Sequence, residues 1–89
     1  MRLLLDTHIL LWALSNDPKL SVKARKLIEN DENEIYYSIL SLWEVELKRI
    51  VHPDKMPISA EELAGYCNES GFHKLLLFEK HIYMLGSLQ

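Results

Sequence analysis

RLLLDTHILLWAL, residues 2–14, sets three consecutive leucines ahead of a carboxylate, a hydroxyl and an imidazole before the chain turns apolar again. Apolar residues without alternation are the pattern of a strand covered on both faces in a parallel sheet. Thr7 offers an N-cap, and a helix then runs to about Leu14. The chain therefore opens as strand, turn, helix. Its longest uninterrupted apolar stretch, Ile9 to Leu14, is six residues. A membrane span needs about 20, and Asp6 and His8 interrupt what would otherwise be a secretory core.

The same alternation continues outward from this stretch. Asn16-Asp17-Pro18 is turn chemistry, and Ser21 caps an amphipathic helix that sets Val22, Ala24, Leu27 and Ile28 against Lys23, Arg25, Lys26 and Glu29. After a polar loop from Asn30 to Asn33, Glu34 to Tyr37 reads as a second strand by its β-branched and aromatic content. Ser38 caps a helix from Ile39 to about Val51, and His52-Pro53-Asp54 stops it. Ser59 and Glu62 have the capping-box spacing and open a helix to about Ser70, with Gly71 as its stop. Lys74 to Phe78 is a third strand, followed by a helix from Glu79 to Leu85. About three strands alternating with helices predict an α/β layered domain with a mostly parallel sheet and right-handed crossovers.

Bulk composition narrows the function classes. A chain of 89 residues makes one small domain, which buries about 60% of its unfolded surface. A formal charge of -3 supplies no global positive field, so any contact with nucleic acid must be local. The single cysteine, Cys67, can form neither an internal disulfide nor a thiolate zinc cage, which predicts a buried, inert thiol and a cytoplasmic setting. Nothing in the sequence predicts a membrane partner.

Candidate chemistry gathers where strands hand over to helices, because ligands of parallel α/β sheets bind beyond the carboxyl ends of the strands. Asp6 stands at the first such point; a carboxylate there suits a metal and equally a helix cap. Glu44 lies near the start of the helix after the second strand, and so near the same end of the sheet. It too has a structural alternative, in a Ser41 to Glu44 capping box or an i,i+4 pair with Lys48. Glu46 points away from the face that carries Glu44 and is expected to pair with Arg49 or Lys48. The histidines at 8, 52, 73 and 81 lack zinc-site spacing and have structural roles. Trp12 and Trp43 read as core or interface residues, and there is no phosphate-binding glycine loop.

Taken together, RLLLDTHILLWAL (2–14) and SILSLWEVELKR (38–49) resemble the PIN-domain family, specifically the bacterial VapC-type toxins. DPKLSVKARKLIE, ISAEEL and GFHKLLL fit the helix, helix and strand between and after them, so the resemblance covers essentially the whole chain. It implies a PIN-like three-layer fold and a Mg2+- or Mn2+-dependent endoribonuclease of toxin–antitoxin modules, with RNA as substrate and an antitoxin protein as partner. By motif, Asp6 and Glu44 are two of the acids that hold the metal in such enzymes, with Thr7 and Lys48 as accessory residues. Hard divalent cations take oxygen ligands and activate water against a phosphodiester, which agrees with these residue types.

The sequence departs from that pattern at its far end. Such toxins continue with a D-P-F-D-R-type segment and a further strand ending in another aspartate, whereas these residues run to MLGSLQ. The expectation is a single PIN-like domain over residues 1–89, truncated at its C-terminal side and weak or inactive as an isolated chain. An unpaired first strand and uncovered apolar surface then predict a homo-oligomer or strand-exchanged assembly. Two other readings stay open: a non-catalytic module that binds an antitoxin or a full-length relative, and a split enzyme completed by a second chain.

Overall fold

The structure, a computed structural model, describes residues 1–76. Seven elements follow in order: β1 (Arg2–Leu5), α1 (Thr7–Ser15), α2 (Val22–Glu29), β2 (Glu34–Ser38), α3 (Ile39–Val51), α4 (Ala60–Glu69) and β3 (His73–Leu75). The strands form one parallel sheet in the order β1-β2-β3, with Leu5 opposite Tyr37 and Tyr37 opposite Lys74. The fold is α/β, as the alternation predicts.

The helix boundaries follow from short polar side chains at their starts. Ser21 accepts from the Ala24 N–H at 3.1 Å, and Ser38 from the Leu40 N–H at 3.0 Å. The expected capping box at Ser59 and Glu62 is complete, each side chain accepting the other residue's backbone N–H. Gly71, at φ 78°, takes the left-handed turn that releases the chain from α4 into β3. One cap differs from the expectation: α1 is capped by Asp6, not Thr7. Asp6 has the extended backbone of a cap, and its Oδ1 accepts from the Ile9 N–H at 2.9 Å. Thr7 is already helical, and its hydroxyl is engaged elsewhere.

The third strand also differs, beginning at His73, one residue earlier than expected, and ending at Leu75. Its register is set by β2, with His73 beside Tyr36 and Leu75 beside Ser38. The remainder of the expected strand, at Leu77 and Phe78, and the helix expected over Glu79 to Leu85 lie outside the described residues.

One sheet face makes the core. Leu3, Leu5, Ile35 and Tyr37 project from β1 and β2 into a cluster with Leu10 of α1, Ile28 of α2, Val45 of α3, and Leu63 and Cys67 of α4. The four helices of the described residues therefore lie on the same side. That is what right-handed crossovers give when the strand order runs in one direction, because each crossover then passes over the same face. The opposite face carries Arg2, Leu4, Glu34 and Tyr36. Leu4 is 57% exposed, so among the described residues the first strand is covered on one face and not both. Cys67 is wholly buried, and that burial pushes its thiol up to about 11, which makes it the inert thiol expected. Among the described residues no helix is long and apolar enough to cross a membrane.

Candidate functional site

The site is built by the β1–β2 register. Leu5 lies opposite Tyr37, so the residues that follow, Asp6 and Ser38, cap two helices at the same carboxyl end of the sheet. The N-termini of α1 and α3 are thus neighbours, and both turn their free backbone N–H groups and positive dipole ends toward this edge. An anion is favoured there.

A single contact stitches the two helix starts together. The Thr7 and Ser41 hydroxyls lie 2.9 Å apart in a hydrogen bond, and Ser41 is only 3% exposed. Asp6 precedes Thr7 directly, and Glu44 follows Ser41 by three residues, one turn along the same side of α3. The tie thus joins the two helices that carry Asp6 and Glu44. Both are exposed at the surface.

Neither structural alternative for Glu44 is realised. Ser38 caps α3, and Ser41, buried inside the first turn, bonds Thr7 and so forms no capping box with Glu44. The ion pairs among the described residues are Arg2 with Glu34 and Arg49 with Glu46, so Glu44 and Lys48 do not form the i,i+4 pair. Lys48 is exposed one turn beyond Glu44. Asp6, by contrast, does serve as a cap, which leaves the carboxylate at the edge where the two helix dipoles meet.

Two residues carry parts that sequence reasoning did not assign. Ser41 is one; a serine four positions before buried Val45 on the core-facing stripe of α3 is the signal that marks it, although its partner is 34 residues away. Glu46 is the other: besides pairing with Arg49 as expected, its Oε2 accepts from the Ala60 N–H at 3.0 Å. That bond, followed by the Arg49 guanidinium, holds the Glu46 carboxyl below its ordinary 4.5. Glu46 ties α3 to the start of α4 and stands apart from the site.

The described histidines and tryptophans sort in the same way. His8 lies against Trp12, His52 caps the end of α3, and His73 stacks at a tilt on Tyr36, 5.1 Å between ring centres. His81 lies outside the described residues. Trp43, 61% exposed on α3, is not a core residue.

A family model for the PIN domain matches residues 3–88. The chain belongs to the PIN-domain family. No curated protein and no solved structure matches it. PIN domains are in general divalent-metal-dependent nucleases that act on RNA. The donor chemistry of this PIN domain can be tested against such a metal. Among the described residues no group of three or more His, Cys, Asp or Glu side chains converges. A Mg2+-like ion, however, commonly uses one or two carboxylates and completes its shell with water and substrate phosphate. Asp6 at that edge and Glu44 in the second turn of α3 are exposed oxygen donors of the kind such an ion takes.

Proposed function

We infer that this PIN domain is a VapC-type toxin of a toxin–antitoxin module, an endoribonuclease in which Asp6 and Glu44 hold Mg2+ or Mn2+. What supports the reading is the Thr7–Ser41 hydrogen bond, which ties together the helix starts that carry the two acids. When bound, the metal supplies an activated water and offsets charge on the scissile phosphate. The remaining work belongs to the chain. Asp6 and Glu44 offer hard oxygen ligands. The N-termini of α1 and α3 orient N–H groups and dipoles toward the phosphate that bridges to them. Thr7 keeps Asp6 in place through Ser41, and Lys48, one turn beyond Glu44, contacts an adjacent phosphate.

The PIN domain is further read as associating as a homo-oligomer or with an antitoxin. The test is cleavage of a mixed RNA pool by the purified chain with Mn2+, with chelator, and with Asp6→Ala and Glu44→Ala. Cleavage that requires the metal and both acids supports the enzyme. Cleavage that is absent, or unchanged in both variants, overturns it.

A second reading is favoured by a different observation. A groove of about 500 Å³ between α1, the α3–α4 loop and α4 is lined by apolar side chains including Leu11, Trp12, Leu14, Met56, Ile58 and Tyr66. Such a groove suits a non-catalytic module that takes the apolar face of an antitoxin segment or of a full-length relative.

A further inference from the structure

His8 follows Asp6 by two positions, in the first turn of α1, and its side chain is exposed. An exposed side chain ordinarily changes rotamer freely. His8 is braced instead. Its imidazole lies 6.2 Å from the Trp12 ring at 51°, a tilted aromatic pair one turn apart. Trp12 is itself half-buried, lines the apolar groove between α1 and α4, and has a backbone carbonyl that accepts from the N–H groups of Asn16 and Asp17. The backbone on either side of His8 is fixed as well: the Thr7 hydroxyl is bonded to Ser41, and the Ile9 N–H donates to Asp6.

Helical side chains lean toward the N-terminus of their helix. Trp12 therefore leans on His8, and His8 leans toward the edge that favours anions. His8 is turned about 100° from Thr7 around the helix, so it flanks the tie to α3 and stands outside the groove that Trp12 lines. What an ordered, open aromatic ring can do at such an edge follows from the substrate class. PIN domains in general act on RNA. Proteins hold single-stranded RNA by phosphate contacts together with bases stacked on aromatic side chains, histidine among them. Two helical residues separate His8 from Asp6, a rise of about 3 Å along the axis. A nucleotide with its phosphate at the helix starts thus has its base within reach of the ring.

We propose that His8 is the base platform of this site, an imidazole braced by Trp12 on which a base of the bound RNA stacks. The proposal rests on the nuclease reading for its ligand, RNA, but the contact is with a base and needs no metal. Every base has a π-face, so the platform accepts any of them.

Fluorescence anisotropy of the full 89-residue chain with labelled heptaadenylate tests it, beside an abasic ribose phosphate oligomer of the same length. Chelator is present throughout, so that the RNA stays whole. The wild-type chain is expected to bind heptaadenylate about 10-fold more tightly than the abasic oligomer, the effect of one stacked base. His8→Ala is expected to abolish that difference with an unchanged circular dichroism spectrum, and His8→Phe, which keeps a stacking face, to restore it. A ring that contacts phosphate would lower both affinities alike on removal, and a ring that only packs on Trp12 would leave the difference intact; either result overturns the proposal. So does a wild-type chain that binds the two oligomers equally, or binds neither. Should His8→Ala fail to fold, the wild-type comparison and His8→Phe decide. Cleavage of the mixed RNA pool is scored separately. A chain that cuts no RNA but keeps the base-dependent difference loses the nuclease reading and retains the platform. One that cuts RNA with Asp6 and Glu44, yet binds heptaadenylate equally well with His8→Ala, loses the platform only.

Discussion

Thr7 and Ser41 make the contact that ties the start of α1 to that of α3, and the strength of that contact is measurable. A hydrogen bond between neutral hydroxyls is worth about 1 kcal/mol net, and leaving one partner buried alone costs more than removing both. In a double-mutant cycle with Thr7→Val and Ser41→Ala, urea unfolding is expected to give a coupling energy of about 1 kcal/mol. Additive single changes would mean that the hydroxyls are independent. Ser41 is visible in the sequence as a polar residue on an apolar helix stripe. Its partner is not, because a contact spanning 34 residues has no periodic signature. The cap of α1 shows the same limit. Asp6 and Thr7 are adjacent residues that both suit a cap, and only the tertiary pull on the Thr7 hydroxyl leaves the cap to Asp6.

At the scale of the element, α3 carries the site, the core and the tie to α4 at once. Glu46 makes that tie by accepting from the Ala60 N–H and pairing with Arg49. Its folded pKa lies below the ordinary 4.5, so the charged form is the one that stabilises the fold. The contribution is present above the unfolded value and is lost as pH falls through the lower folded value. Glu46→Gln is therefore expected to lower the melting temperature at pH 7 and to have less effect as the pH is brought below 4 (~4 being the ordinary carboxylate range). A melting-temperature difference that is constant with pH would show that the carboxylate charge is not involved. The pairing with Arg49 is legible from the i,i+3 spacing. The bond to Ala60 depends on how the α3–α4 loop returns, which local sequence does not encode.

Across the whole molecule, a domain of this size has little stability to spare. Among the described residues, Leu63 is wholly buried in the cluster that joins the four helices to the sheet. Leu63→Ala is expected to cost about 2–5 kcal/mol, much of the ~5–10 kcal/mol available to a small domain. Thermal unfolding should show a large drop in melting temperature or a loss of the cooperative transition. A shift of only a few degrees would indicate that the core can collapse around the missing side chain.

The α/β alternation and most of the caps were legible from residues 1–76 alone. Each depends on local chemistry: apolar runs between polar turns, a serine before a helix, glycine at a positive φ. Tertiary structure decided which sheet face is covered, because three strands added in one direction carry every crossover over the same side. It also decided that α3 is apolar on both faces. Leu42 and Val45 are as greasy in sequence as Trp43 and Ile50, and only packing against the sheet separates the pair that faces inward from the pair left at the surface.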